Sequence, residues 1–460
     1  MESFSIRQAP VALVGLGAAM RRRNWFLPLA VFVVLLAVAP QDATGQEAAL
    51  AWNQVQYFSY NILNVSYDGG TRTVTVVFSV TNPRAGNAPY DILGTTAATA
   101  FKPPATLRID ISWNAGSWGT TELVNTKDAP LLPTIRTIST TGVVTGSAPA
   151  SAVAVNALSA AVKRCSDPGS PCSLFQNANL TYLVKSVLPA AASGAGRVGI
   201  EGHPSVQTGV DPVLLTPIYA SIPVKSVYRD FPINGAAVAR RQVVDITKCM
   251  VCHDNRQHGE TIVPRLSLHG ANRNEETGVC VMCHNPNQTD AAYRTSGAEE
   301  SVDFKRMIHG IHAGGMRKNP LIIIGRNGSV NDFSHVRFPT SLRNCLNCHV
   351  EVNQRGTFEL PMSTTLGSAI STLSVLNNPL PGQVDIDPSN DLRISPTAAT
   401  CSGCHDDSET RRHMTQMGAS FGVVQSVLAG REQCVNCHGP GKSRDVRKEH
   451  GLLSSRRSDD

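Results

Sequence analysis

Two cysteines separated by two residues and followed at once by a histidine recur five times in this chain. The copies are Cys249-Met250-Val251-Cys252-His253, Cys280-Val281-Met282-Cys283-His284, Cys345-Leu346-Asn347-Cys348-His349, Cys401-Ser402-Gly403-Cys404-His405 and Cys434-Val435-Asn436-Cys437-His438. Two thiols at that spacing can form thioethers with the two vinyl groups of one haem, and the next residue is then held beneath the iron as its proximal ligand. Zinc also uses Cys-x-x-Cys, but it pairs such motifs and has no need of a histidine after every second cysteine. Disulfide-exchange motifs occur singly, not in series. The repeat therefore implies five covalently bound haem c groups, each with its own iron.

An electron carrier works best with six-coordinate iron, whereas a catalyst needs an open position, so the remaining histidines matter. Beyond the motifs the chain has His203, His258, His269, His309, His312, His335, His413 and His450, and only His203 lies outside the haem half. Seven candidates suffice for five positions. Ser301 to Gly314 reads as a short helix, capped by Ser301 and stopped at Gly314-Gly315, with Phe304, Met307, Ile308 and Ile311 on one face. It carries His309 and His312 three residues apart; such neighbours diverge by about 60° at ~3.6 residues per turn and can serve two different haems. His269, His413 and His450 complete the expected distal set. His258 and His335 read as surface or outer residues. Met414 and Met417 are the alternative ligands, with packing the simpler role.

The elements that must position these groups differ between the two halves. From about residue 50 to 230 apolar and polar residues alternate over short runs, as in Thr73-Val74-Thr75-Val76 leading to Phe78 and Val80, and in Leu107-Arg108-Ile109-Asp110-Ile111. Tyr67-Asp68-Gly69-Gly70 is a turn, and further strands are expected over Thr181–Leu188 and Ile218–Val227. Thr145–Ala161 is open between loop and helix. The expectation is an all-β antiparallel barrel or sandwich over 46–238, followed by a loop- and short-helix-rich pentahaem domain over 239–452 and a disordered tail over 453–460. Beyond Arg240 the periodicity fades, and the chain is too poor in long apolar segments for an ordinary core; large buried cofactors would fill the deficit. Cys165 and Cys172, outside the motifs, are expected to close a small disulfide loop.

Residues 1–45 have the basic, apolar and small-residue regions of a secretory signal: Arg21-Arg22-Arg23, the run Trp25 to Ala39, then Ala43-Thr44-Gly45. Met20 is a plausible true start. The apolar run is short for a membrane span and contains Pro28. Export is thus expected, to the periplasm or the cell surface, and no cysteine precedes Cys165 to carry a lipid anchor. The formal charge of +6, part of it in the leader, is no nucleic-acid footprint, and haem propionates would bring the loaded protein near neutral or acidic despite a sequence pI of 8.7. The basic tail, Lys442, Arg444, Arg447, Lys448, Arg456 and Arg457, reads as a solvated end.

The chain resembles the OmcA/MtrC family of outer-membrane multihaem cytochromes. The residues that carry the resemblance are Arg241-Gln242-Val243-Val244-Asp245, the His269 segment, Cys283-His284-Asn285-Pro286, Asp303-Phe304-Lys305 through Met307-Ile308-His309 to Ile311-His312, Phe338-Pro339 and His438-Gly439-Pro440-Gly441. They cover residues 240 to 450, and Val76-Phe78-Ser79-Val80-Thr81-Asn82-Pro83 looks like the family's β-barrel domains. The resemblance implies extracellular electron transfer through close-packed haems. It also implies redox partners such as other c-type cytochromes, soluble electron shuttles or metal oxides. In that family barrel and pentahaem domains alternate twice; this chain resembles one half. The expected function is electron conduction with no catalytic residue. The rival is a reductase of a small nitrogen or sulfur compound at one open iron, and a sensor role for the barrel is a third reading. None of the five motifs ends in lysine, which would mark the reductase.

Overall fold

A computed structural model of the chain describes residues 53–92, 101, 105–114, 136–137, 163–164, 172–188, 190, 192–235, 243–254, 257–258, 261–262, 265–285, 288–290, 293–350, 369–372, 392–424 and 432–452. The leader, the Thr145–Ala161 stretch, the 453–460 tail and Cys165 lie outside the described residues. So does the side chain of Cys172, and with it the expected disulfide.

The alternating runs form two antiparallel sheets. In the first, β1 (Ser59–Asp68) pairs with β2 (Thr73–Asn82), and β2 pairs with β5 (Tyr182–Val187), which pairs with β4 (Cys172–Gln176). The β1–β2 turn is the expected one: Asp68 accepts the Gly70 N–H at 2.9 Å and the Thr71 hydroxyl at 2.7 Å. In the second, β3 (Thr106–Asn114) pairs with β6 (Ser193–His203), which pairs with β9 (Val227–Pro232). Between them, β7 (Ser205–Val210) and β8 (Pro217–Ser221) form a separate hairpin. The expected strand Ile218–Val227 is in fact two, broken around Pro223, whose ring cannot donate to a ladder.

Every second residue points inward. Val74, Val76, Phe78 and Val80 of β2 share one buried cluster with Leu107, Ile109, Ile111 and Trp113 of β3 and Val198 and Ile200 of β6. At about 1.5–3 kcal/mol for each large apolar side chain buried, this is the main apolar store of the molecule. The architecture is a sandwich of two facing sheets rather than a closed barrel among the described residues.

Beyond residue 240 the elements are short. Helices α1 (Ile246–Cys252), α2 (Thr277–Cys283), α3 (Phe304–His312), α4 (Pro396–Cys401), α5 (Ser408–Gln416), α6 (Cys434–His438) and α7 (Val446–Glu449) are joined by turns and strands of two to four residues. The one buried apolar cluster described here is small: Ile394, Ala398, Ala399, Met414 and Ala419. The expected shortage of an ordinary core in this half is therefore visible. Helix α3 begins later than its sequence signals imply. Asp303 stands at its N-cap, and Ser301 lies two residues upstream, its hydroxyl accepting the Asp303 N–H at 3.2 Å.

Candidate functional site

Each Cys-x-x-Cys-His copy is one tight turn, and three of the five have a carboxylate acceptor at their start. Asp245 caps α1, accepting the Thr247 N–H at 2.9 Å; Glu276 caps α2, accepting the Gly278 N–H at 3.0 Å. For α4 the cap comes from far along the chain, because the buried Glu432 carboxylate accepts the Thr397 and Ala398 N–H groups at 2.8 and 2.9 Å. These acceptors satisfy first-turn donors that would otherwise be left bare. At four copies the histidine N–H donates back to the carbonyl of the first cysteine: His253 to Cys249 at 3.0 Å, His284 to Cys280 at 2.9 Å, His349 to Cys345 at 2.9 Å and His405 to Cys401 at 2.8 Å. One helical turn puts residues three and four apart on one side, so both thiols and the imidazole face the same space.

The structure brings each motif histidine to one other histidine. Ring centroids are 6.0 Å apart for His253 and His312, for His269 and His284, and for His309 and His349; they are 6.2 Å apart for His405 and His450 and for His413 and His438. His269 sits in the turn between β10 (Ser267–Leu268) and β11 (Arg273–Asn274), with φ +54° and its carbonyl accepting the Asn272 side-chain amide at 2.7 Å. His309 and His312 leave α3 towards different partners, as their three-residue spacing implies. His413 lies on α5, and His450 follows α7. His335 is exposed, and His203 is buried in the sandwich, its Nδ1 3.2 Å from the Pro204 carbonyl. The side chain of His258 lies outside the described residues. Met414 packs in the small apolar cluster.

The second ring nitrogen of several of these histidines is also placed. Nδ1 lies 3.0 Å from the Val302 carbonyl in His284, 2.8 Å from Ile308 in His312, 3.1 Å from Arg444 in His438 and 2.8 Å from Val446 in His450. A carbonyl only accepts, so Nδ1 carries the proton and the Nε2 lone pair is left for a metal. Burial pushes His309 down to about 4 and lowers His284, His312 and His405 as well, which favours the neutral, ligating form.

Neighbouring motifs abut. Cys249 and Cys348 are close enough to perturb one another, and the Asp245 N–H donates to the Cys348 carbonyl at 2.9 Å. Cys404 donates to the His309 carbonyl at 3.8 Å, and a Cβ on Gly403 would stand 2.7 Å from that of His309, so the fourth motif is pressed against α3. Cys401 and Cys434 are close enough to perturb one another. The His284 carbonyl accepts the Phe304 N–H at 3.0 Å, tying the second motif to the start of α3. The second motif is also the one held by the sandwich. Arg197 of β6 forms a pair with Asp230 of β9, donates to the Gly278 carbonyl at 3.1 Å and lies 4.0 Å over the Tyr228 ring. That ring fills the space where a Cβ on Gly278 would stand. Glu201 of β6, fully buried, meets Arg273 of β11 at 2.6 Å. Sequence reasoning missed these supports; the only signal was an acidic residue shortly ahead of a motif, as with Asp245 and Glu276.

Residues 241–451 match the family model described as outer membrane cytochrome MtrC/MtrF-like, domains II/IV. The chain is also similar to the crystal structure of MtrC from Shewanella baltica OS185, at 16% identity and a TM-score of 0.46 over 86% of this chain. It spans 54% of that chain's length. No curated protein matches it. Over residues 241–451 the chain is thus similar to domains II/IV of the MtrC/MtrF-like outer membrane cytochromes.

Proposed function

We propose that the protein is an electron-transfer cytochrome that holds five haem c groups, each between two histidines. The pairs are His253 with His312, His284 with His269, His349 with His309, His405 with His450 and His438 with His413. The observation that carries this reading is the common spacing of the five imidazole pairs, 6.0–6.2 Å between ring centroids. A ring nitrogen bonds a metal at about 2 Å and lies roughly 1 Å from its ring centre, so two imidazoles on opposite sides of one iron stand about 6 Å apart. The donor set fits as well, since each pair has two thiols beside one of its members. Bound there, the haems would supply one-electron chemistry, with no bond made or broken.

The chain's own residues set the order of the sites. Contacts run from the first motif to the third, through Cys249 and Cys348, to the fourth, through His309 and Gly403, and to the fifth, through Cys401 and Cys434. The second motif joins through α3 and stands against the sandwich. We read this as a line 1–3–4–5 with the second site as a branch, and the sandwich as the support of that branch. Family likeness favours a place at the outer membrane or cell surface. Other cytochromes, soluble shuttles or metal oxides would be the partners, and the protein would be an electron carrier, not a classical enzyme. The test is a pyridine haemochrome count with low-temperature electron paramagnetic resonance. Five haems per chain, all low-spin, support the reading; fewer haems, or a fixed high-spin share, count against it.

A further inference from the structure

Among the described residues, three basic side chains donate to backbone carbonyls of the Cys-x-x-Cys-His loops, and they differ in their ion pairing. Arg197 reaches the Gly278 carbonyl at 3.1 Å but is held by both oxygens of Asp230, at 2.5 and 2.9 Å. Arg317 donates to the Ser402 carbonyl at 3.0 Å and also to that of Gly403, and stands 3.7 Å from Asp406. Lys248, immediately before Cys249, donates to the His349 carbonyl at 2.8 Å and the Leu346 carbonyl at 3.2 Å. Lys248 forms no ion pair among the described residues. Asp245, at the start of the same helix, bonds the N–H and hydroxyl of Thr247 at 2.9 and 2.7 Å rather than the Lys248 ammonium, and the two charges feel one another without forming an ion pair.

Lys248 therefore bridges two haem sites from a position in the first to the backbone of the third. The same seam is closed by the Asp245–Cys348 and Val350–Val243 backbone bonds, at 2.9 and 3.1 Å. Adding one electron to a ferric haem adds one negative charge, with no proton needed and no bond changed. A fixed cation at the seam stabilises that state, and partial burial limits its screening.

We propose that Lys248 is the positioning residue of the junction between the first and third haem sites, and that its charge makes both of these haems easier to reduce than they would be without it. The proposal rests on the five-haem reading above. The experiment is a spectroelectrochemical titration of the intact holoprotein and of Lys248→Met, Lys248→Gln and Lys248→Arg, with the haem count taken on each. The expected result is that Met and Gln weaken reduction of two of the five haems about tenfold, a shift of about 59 mV for one electron, while Arg leaves the curve unchanged. Gln keeps a donor for one carbonyl, so it separates charge from hydrogen bonding and serves if the Met variant folds poorly. Unchanged midpoints with five haems bound would overturn the proposal, as would wild-type midpoints in the Gln variant. A wild-type count below five would instead sink the haem reading itself.

Discussion

At the scale of single residues, the chain brings histidines together from distant positions. His309 and His312 are neighbours on α3 but face His349 and His253. Replacing each by Ala is predicted to open a different iron. In each variant one haem of five should become high-spin, and the double variant should show two, counted by electron paramagnetic resonance. A result in which both single variants disturb the same haem would break the assignment of pairs. The motif residues were legible because their chemistry is local: two thiols and an imidazole within five positions. The distal set His269, His309, His312, His413 and His450 was legible as candidates, from counting and from the helix that carries two of them. The pairing was not, because it depends on folding that brings His269 to His284 across a turn and His450 to His405 across 45 residues.

At the scale of elements, short helices with dedicated caps replace a conventional core. Asp445 shows how such an element answers to pH. Its carboxylate pairs with Arg447 and accepts the Gly441 and Arg447 N–H groups, which holds its pKa near 2 against an ordinary 3.8. A depressed carboxylate contributes stability that is complete above its unfolded value and is lost as pH falls towards its folded one. Acid titration is therefore expected to loosen the Gly441–His450 segment between about pH 4 and pH 2, releasing His450 from its haem. Asp445→Asn should remove most of that dependence, read from the Soret band. Gly403→Ala tests another close approach: the added methyl meets His309 and the Gly310 backbone, and a cost of about 1–3 kcal/mol is expected in thermal unfolding. The sequence signals placed two element ends differently from the structure. Asp303, not Ser301, stands at the start of α3, and Pro223 splits a run whose alternation reads as one strand.

At the scale of the whole molecule, the sandwich holds the second Cys-x-x-Cys-His motif. Buried Asn274 donates its side-chain amide to the Val224 and Ala271 carbonyls at 3.0 and 2.7 Å, fastening the turn that carries His269 to the sandwich. Asn274→Ala leaves those carbonyls bare, and a loss of about 1–3 kcal/mol is expected, with a disturbed spectrum at the second haem alone. Alternation of apolar residues made the two sheets legible. The Arg197–Tyr228–Gly278 and Glu201–Arg273 contacts were not, since they join residues that share no local pattern. The central claim is that five haems are each blocked by two histidines. The most direct test is the visible spectrum of the dithionite-reduced holoprotein with and without carbon monoxide. The account predicts no change on adding the gas, because no iron has a free position; a shift in about one fifth of the Soret absorbance would expose an open iron and point instead to a reductase.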